Sequence, residues 1–378
     1  MRPQYEVADI FRLYGEEYKK THGMTDNQRK VMAAITACRT AQLGGNSEIC
    51  DKCGTIRNSY NSCRNRHCPK CQTLAKEKWL EQRREELLPC GYFHMVFTVP
   101  HSLNPLILRN RRELLTILFK VVRNTIIAFA ADPQWKLEGK PGLMTILHTW
   151  SQTLIDHFHI HCLIPAGVLS FDNRKWIASN ENYLFGVESL AKEFKKQFLS
   201  LLHEQYAELV LPENSATLLA DAQKKTWIVY AKKPFSDAEQ VLEYLGRYTH
   251  RIAISNHRIR EVQDGKVTFS YKDRSHDNQT KVMTLSGVEF IRRFLLHVLP
   301  FRFMKIRYYG FLANICKKKS VLLIRRLIGK DMSTPIKEQE TTRNKLLRLT
   351  GKDIGLCPEC KIGEMLFQRI LMPVYDSG

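Results

Sequence analysis

The sequence predicts an α+β protein in which helices pack on an antiparallel sheet, and three observations carry that expectation. Helical and strand-like stretches mix along the 378 residues without the regular alternation of a parallel βαβ array. Asp264-Gly265, set between two β-prone runs, is the favoured two-residue hairpin turn. In residues 154–165, His157, His159 and His161 alternate with Phe158, Ile160 and Cys162, the period-2 pattern of a strand with two unlike faces.

A chain of 378 residues has room for two or three domains, expected at 1–75, 76–285 and 286–378. A formal net charge of +20, spread over the whole length, points to a polyanionic partner, with nucleic acid first among the candidates. No apolar run reads as a transmembrane span and the first residues read as no signal peptide, so a cytosolic protein without a membrane partner is expected. In that compartment the 11 cysteines are more naturally metal ligands or buried thiols than disulfides.

Residues 7–20 and 26–39 have helical patterns, and Cys38 in the second reads as a helix-core thiol. Then come Cys50-Asp-Lys-Cys53 and Cys68-Pro-Lys-Cys71, two Cys-x-x-Cys knuckles whose spacing predicts one four-thiolate zinc site from Cys50, Cys53, Cys68 and Cys71. Cys63 and His67, between the knuckles, could replace a ligand or bind a second ion. Arg64 and Arg66 in the same loop suit phosphate or base-edge contacts, against the plainer reading of a solvated charged loop.

Residues 75–88 read as a charged helix, 92–99 as a short strand, 106–131 as a long helix and 143–149 as another strand. The histidine strand follows. If its alternation holds, one face could hold a metal through imidazoles, although spacing alone does not name the ion. An amphipathic helix over 187–208 and a strand over 227–231 complete this part.

Ser236-Asp-Ala-Glu239 is a capping box, so a helix starts there and carries Tyr244 and Tyr248, four residues apart on one face. Gly246 between them suggests close approach of another backbone or of a substrate. A tyrosine pair at a core edge, with Arg247, His250 and Arg251 as a solvated face, is the plainer reading. A phenol, with its ordinary pKa near 10, becomes a competent nucleophile where a divalent cation polarises a phosphate. Metal-binding histidines, paired tyrosines and excess positive charge are the parts such chemistry needs. The sequence has no phosphate-binding Gly-x-x-x-x-Gly-Lys loop.

The order Tyr-Asn-Ser-Cys-Arg-Asn-Arg-His-Cys-Pro-Lys-Cys, then His-Ile-His, then Tyr-Leu-Gly-Arg-Tyr-Thr-His-Arg-Ile-Ala-Ile-Ser-Asn closely resembles the rolling-circle transposases of the insertion sequence 91 family. These belong to the HUH endonucleases, named for two histidines flanking a bulky hydrophobic residue. The resemblance runs over residues 24–365. It implies an HUH-type antiparallel catalytic sheet with packed helices, an N-terminal zinc-binding module and a basic helical C-terminal region. It implies that His159 and His161 hold Mg2+ or Mn2+, that Tyr244 and Tyr248 are paired nucleophiles, and that Cys50, Cys53, Cys68 and Cys71 bind structural zinc. Arg64, Arg66, Arg247, His250 and Arg251 would meet DNA. The implied reaction cuts single-stranded transposon ends to give a 5′-phosphotyrosine and a free 3′-OH, in the bacterial cytoplasm at the nucleoid and with host replication proteins as partners. For a third metal ligand the candidates are Gln240, Gln152, His148 and Asp156. Two departures stand out: Phe158 occupies a place where relatives often have proline, and Asn46 one where many have histidine.

Beyond the tyrosines, residues 252–255, 259–262, 267–271 and 281–285 read as strands and 286–299 as an amphipathic helix. Arg302, Lys305, Arg307, Tyr308 and Tyr309 interleave basic and aromatic residues as single-stranded DNA binding would use them. Residues 330–345 read as a polar linker or extended helix, and Cys357-Pro-Glu-Cys360 is half a zinc site whose other half the sequence does not reveal. Two rival functions remain: a non-catalytic zinc-dependent DNA-binding regulator, and a hydrolase using His157, His159 and His161 on zinc.

Overall fold

The computed structural model describes residues 3–180, 184–235, 240–241, 244, 246, 249, 253–273, 276–329 and 340–374. In chain order, α1 (Val7–Thr21) and α2 (Asp26–Ala37) precede β1 (Gly45–Cys50), β2 (Ile56–Tyr60), α3 (Gln72–Arg84) and β3 (Tyr92–Thr98). Helices α4 (Asn104–Arg109) and α5 (Arg111–Ala131) lead to β4 (Gly139–Lys140), β5 (Gly142–Trp150), β6 (Asp156–Pro165), β7 (Gly167–Ser170) and β8 (Trp176–Ala178). Next are α6 (Val187–Glu204), α7 (Ser215–Lys224), β9 (Ile228–Phe235), β10 (Ile259–Gln263), β11 (Lys266–Asp273) and β12 (Gln279–Ser286). Strands β13 (Ile306–Gly310) and β14 (Met365–Leu371) are the last two, and further helices span Gly287–Leu296, Lys317–Ile328 and Thr342–Thr350. The α+β expectation is met.

Local chemistry sets several boundaries. Thr25 caps α2 reciprocally: its Oγ1 accepts from the Gln28 amide at 3.3 Å while its own amide donates to Gln28 Oε1 at 2.9 Å. The helix expected over 106–131 is broken at Asn110. There the side chain donates to the Leu106 and Val210 carbonyls and accepts from the Val210 amide at 2.7 Å, competing with the helical ladder. Asp264 and Gly265 both take positive φ and close the β10–β11 hairpin as expected. Residues 253–255, expected in a strand, are irregular. The 236–239 capping box lies outside the described residues.

The chain divides into two compact units, each discontinuous. One comprises Met1–Lys78, His250–Val298 and Thr334–Gly378; the other comprises Trp79–Thr249 and Leu299–Ser333. The three consecutive parts 1–75, 76–285 and 286–378 are therefore corrected. The reason is strand pairing: β14 pairs antiparallel with β1, and β13 adds itself to β5.

In the first unit, β14-β1-β2 and β10-β11-β12 form separate three-stranded sheets. Helix Gly287–Leu296 packs on α1, with the Phe11 and Phe294 rings edge-on at 5.4 Å. In the second unit a five-stranded sheet of order β13-β5-β6-β3-β9 is antiparallel throughout. One face presents Phe93, Met95 and Phe97 of β3 with Phe158, Ile160 and Cys162 of β6 to the core built by α5 and α6. The opposite face carries Tyr92, Met144, Ile146 and Leu163 under Val241, Phe311 and Ile324.

Helix α5 is long and apolar enough by composition to cross a membrane. Its Leu114, Leu118, Val122 and Ile126 are instead buried in the sheet-and-helix core.

Candidate active site and metal centres

The second face of the five-stranded sheet gathers the chemistry. Strand β6 alternates as its sequence demands, so Phe158, Ile160 and Cys162 enter the core while His159 and His161 point to the other side. Register brings partners to them. His148 on β5 lies directly opposite His159, and Ile146 opposite His161. Ligand nitrogens of His148, His159 and His161 all lie within 4.8 Å of one another, and all three residues are buried. Of the four candidates for a third ligand, His148 stands in this cluster.

The outer contacts of these rings fix their orientation. His159 Nδ1 lies 2.9 Å from the His157 carbonyl, which makes it a donor and leaves Nε2 for a metal. The His148 ring stacks on Trp150 at 4.8 Å, and the Lys305 ammonium sits 4.9 Å from the Trp150 ring centre. Lys305 also donates to the Thr249 carbonyl at 3.2 Å. His157, although its ring centre lies 4.6 Å from that of His159, stays outside this cluster: its Nδ1 pairs with His101 Nε2 at 2.9 Å. The His157-His159-His161 trio of the hydrolase reading is thus replaced by His148-His159-His161.

Sequence reasoning missed His94, on β3. It is 3 % exposed, and its Nε2 lies 2.9 Å from His161 Nδ1 and 2.6 Å from Tyr244 Oη. Tyr244 Oη is also 3.2 Å from His161 Nδ1. If His161 keeps Nε2 for a metal, its Nδ1–H faces both His94 Nε2 and the phenol oxygen, and the phenol O–H donates to His94 Nε2. Burial, reinforced by the charge of Lys232, pulls the His94 pKa down to about 3, so the ring is a neutral acceptor. The one available signal was a polar residue alternating into an otherwise apolar strand. Gln240, Val241, Tyr244 and Gly246 are helical, as the tyrosine helix requires, and Val241 is fully buried. Tyr248, Arg247, His250 and Arg251 lie outside the described residues.

The cysteines group differently from the expected single site. Cys50 and Cys53 do not share a cluster with Cys68 and Cys71. Cys68 and Cys71 gather with Cys38 and Cys63, whereas Cys50 and Cys53 gather with Cys357 and Cys360. The split arises because the β1–β2 hairpin separates the two knuckles and the turn at the C-terminal end of α2 delivers Cys38. Cys38 and Cys63 stand 3.5 and 3.6 Å, sulfur to sulfur, from Cys71. A tetrahedron with metal–sulfur bonds of about 2.3 Å has edges of roughly 3.8 Å, so the donor set fits zinc. Cys38 is thus no mere helix-core thiol, and Cys63, not His67, joins the cluster; His67 Nδ1 lies 3.2 Å from Asn65 Oδ1.

In the loop of that cluster Arg64 is exposed, while Arg66 is half-buried, which lowers its guanidinium pKa. The basic and aromatic run after residue 301 is largely used within the fold. The Arg307 guanidinium lies over Phe119 at 4.1 Å, and Tyr308 Oη accepts from Arg83 at 2.7 Å. Lys317, from the later lysine run, is buried against Glu86 at 2.8 Å.

Comparison with known proteins gives the family. A family model described as "Transposase zinc-binding domain" matches residues 10–99, and one described as "Putative transposase" matches residues 142–319. The chain is 44 % identical over 375 residues to "Putative transposase y4qJ" of Sinorhizobium fredii, covering 96 % of this chain and 94 % of that protein. It is 29 % identical over 334 residues to "Transposase for insertion sequence element IS801" of Pseudomonas savastanoi pv. phaseolicola, covering 83 % and 78 %. The chain belongs to the insertion sequence 91 family of transposases. No solved structure matches it significantly. The transposase matches make DNA the substrate, and the zinc-binding match with the thiolate cluster supports structural zinc.

Proposed function

We propose that this transposase nicks and rejoins single-stranded DNA at the ends of its element by tyrosine attack on a phosphodiester, as rolling-circle transposition requires. The observation that carries the reading is the buried phenol of Tyr244, 2.6 Å from His94 and 3.2 Å from His161, beside three clustered histidines. Tyr244 Oη bonds to phosphorus as the bond to the 3′ oxygen breaks, leaving a 5′-phosphotyrosine and a free 3′-OH. His94 accepts the phenol's hydrogen bond and aims the attacking oxygen. Tyr248 serves a second strand while the first covalent bond persists.

His148, His159 and His161 would hold the Mg2+ or Mn2+, which when bound supplies positive charge to the phosphate oxygens. An all-imidazole set suits a first-row transition ion better than Mg2+, which favours Mn2+ of the two. Lys305, close to His148 through Trp150, adds a positive charge at the edge of this face. Zinc on Cys38, Cys63, Cys68 and Cys71 would stiffen the loop that offers Arg64 and Arg66 to DNA. Arg247, His250 and Arg251 would line the strand near the tyrosines, with the host's replication proteins extending the released 3′-OH in the cytoplasm at the nucleoid.

Labelled single-stranded DNA from the element's own flanks, incubated with Mn2+ or Mg2+ and then with chelator, tests the reading on a denaturing gel. Metal-dependent, protease-sensitive retention of label is expected. Cleavage with no retained label would point to water as nucleophile, and binding without cleavage to a regulator.

A further inference from the structure

We infer that the chain carries a second structural zinc, held by Cys50 and Cys53 from one end of the sequence and Cys357 and Cys360 from the other. It joins segments 304 to 310 residues apart into one ribbon. The inference stands apart from the tyrosine chemistry, and half of the site lies beyond the zinc-binding match, which ends at residue 99.

Sulfur geometry is the first argument. Cys50 Sγ lies 3.7 Å from Cys360 Sγ and Cys53 Sγ lies 3.6 Å from Cys357 Sγ, with all four sulfurs within 4.8 Å of one another. These separations are close to the roughly 3.8 Å edge of a tetrahedral zinc–thiolate centre. They are far longer than a disulfide bond of about 2.05 Å.

The backbone supplies an independent argument, because the two Cys-x-x-Cys turns are built alike. Gly54 N donates to the Cys50 carbonyl at 3.1 Å, and Lys361 N donates to the Cys357 carbonyl at 3.2 Å. Gly54 and Lys361, each following its second cysteine, take φ of 70° and 59°. For lysine that left-handed conformation is unfavourable and needs a surrounding structure that demands it. Amides turn toward sulfur in both: Lys52 N and Cys53 N lie 3.4 and 3.5 Å from Cys50 Sγ, and Gly363 N lies 3.4 Å from Cys360 Sγ. Such donors stabilise thiolate charge, which a metal centre needs and a neutral thiol does not.

The two turns are also braced against each other. Asp51 N donates to the Glu364 carbonyl at 3.1 Å, and Glu364 N donates to Asp51 Oδ1 at 2.8 Å. A Cβ on Gly363 would run into the Cys50 sulfur, so glycine at this position allows the approach. β14 then continues as the partner of β1, from Met365 opposite Cys50 to Leu371 opposite Gly45. Without β14, β1 would be an edge strand with unpaired backbone groups. Closing so long a loop is entropically costly, and a metal clip at its closure offsets that cost.

Zinc content of the full-length protein, by native mass spectrometry and elemental analysis, tests this. The wild type should carry two zinc ions per chain and the C357S/C360S variant one. The C63S/C71S variant should also keep one, on the clamp. Since removing thiolates can unfold the ribbon, Cys360→His supplies a second reading. It keeps four ligands, so it should retain two metals, and after cobalt substitution it should show weaker near-ultraviolet sulfur-to-cobalt absorption than wild type. One zinc in the wild type, or two in C357S/C360S, overturns the inference, as does an unchanged cobalt spectrum in Cys360→His.

Discussion

Phe158 tests whether the histidine strand is seated as described. It lies between His157 and His159, is fully buried, and faces the α5–α6 core while its neighbours face the opposite side. A buried phenylalanine removes on the order of 200 Å² from water, worth about 5 kcal/mol at 25 cal/mol per Å². Truncation to alanine keeps part of that burial but adds a cavity, so Phe158→Ala should cost about 3–5 kcal/mol. In a unit of roughly 200 residues each kcal/mol shifts the midpoint by about 2–4 °C, so a fall of roughly 6–20 °C is expected by calorimetry or thermal circular dichroism. Phe158→Leu, nearer in volume, should cost markedly less. A Phe158→Ala loss under about 1 kcal/mol would mean that this side chain does not fill the core, and the two-faced reading of β6 would fail with it.

His148→Ala removes one of three clustered imidazoles, and the Mn2+ concentration for half-maximal cleavage should rise by about tenfold or more, since even outer-sphere partners of ligands carry 10- to 100-fold. His157→Ala, outside the cluster, should leave the titration within a few-fold; equal effects of the two would refute the grouping. Glu289 at the start of helix Gly287–Leu296 accepts from Arg292 and Arg293, each at 2.6 Å, and these partners hold its pKa down at about 2. Its folded pKa lies below an unfolded value near 4.3. Its contribution is therefore present above about pH 4.5 and lost as pH falls toward 2. The group is partly solvated, so Glu289→Gln should lower stability by no more than about 1 kcal/mol at pH 7. That difference should shrink as pH falls from about 4.5 and vanish only below about pH 2 in denaturant titrations, and a pH-independent difference would contradict the ion-pair origin.

The parts legible from sequence were those written in local periodicity. Alternation around His159 and His161 fixed their common face because a strand has only two faces. The Asp264-Gly265 turn was legible for the same reason, its two residues suiting positive φ. What stayed hidden depended on which distant strands pair. His148 was one of four candidates until the β5–β6 register set it opposite His159, and His94 reaches Tyr244 through the β3–β6 pairing. Thiolate partners were hidden likewise. The six sulfurs of the three Cys-x-x-Cys motifs can be shared out in several ways, and the β14–β1 pairing, between segments more than 300 residues apart, selects one. Which members of the interleaved basic and aromatic run face inward was hidden too: Arg307 and Tyr308 pack within the fold, and composition does not distinguish them from solvent-facing residues.

The central claim, covalent attack by tyrosine, is tested most directly by mapping the protein–DNA adduct. Trypsin cuts after Arg247, between the two tyrosines, so Tyr244 and the Tyr248-Thr-His-Arg251 peptide separate cleanly. Mass spectrometry of trapped Mn2+ reactions should find nucleotide phosphate on the peptide bearing Tyr244, on Tyr248-Thr-His-Arg251, or on both. Tyr244→Phe should empty the first peptide, and Tyr244→Phe/Tyr248→Phe should abolish the adduct. An undiminished adduct in the double variant, or cleavage that leaves no nucleotide on either peptide, would contradict the account.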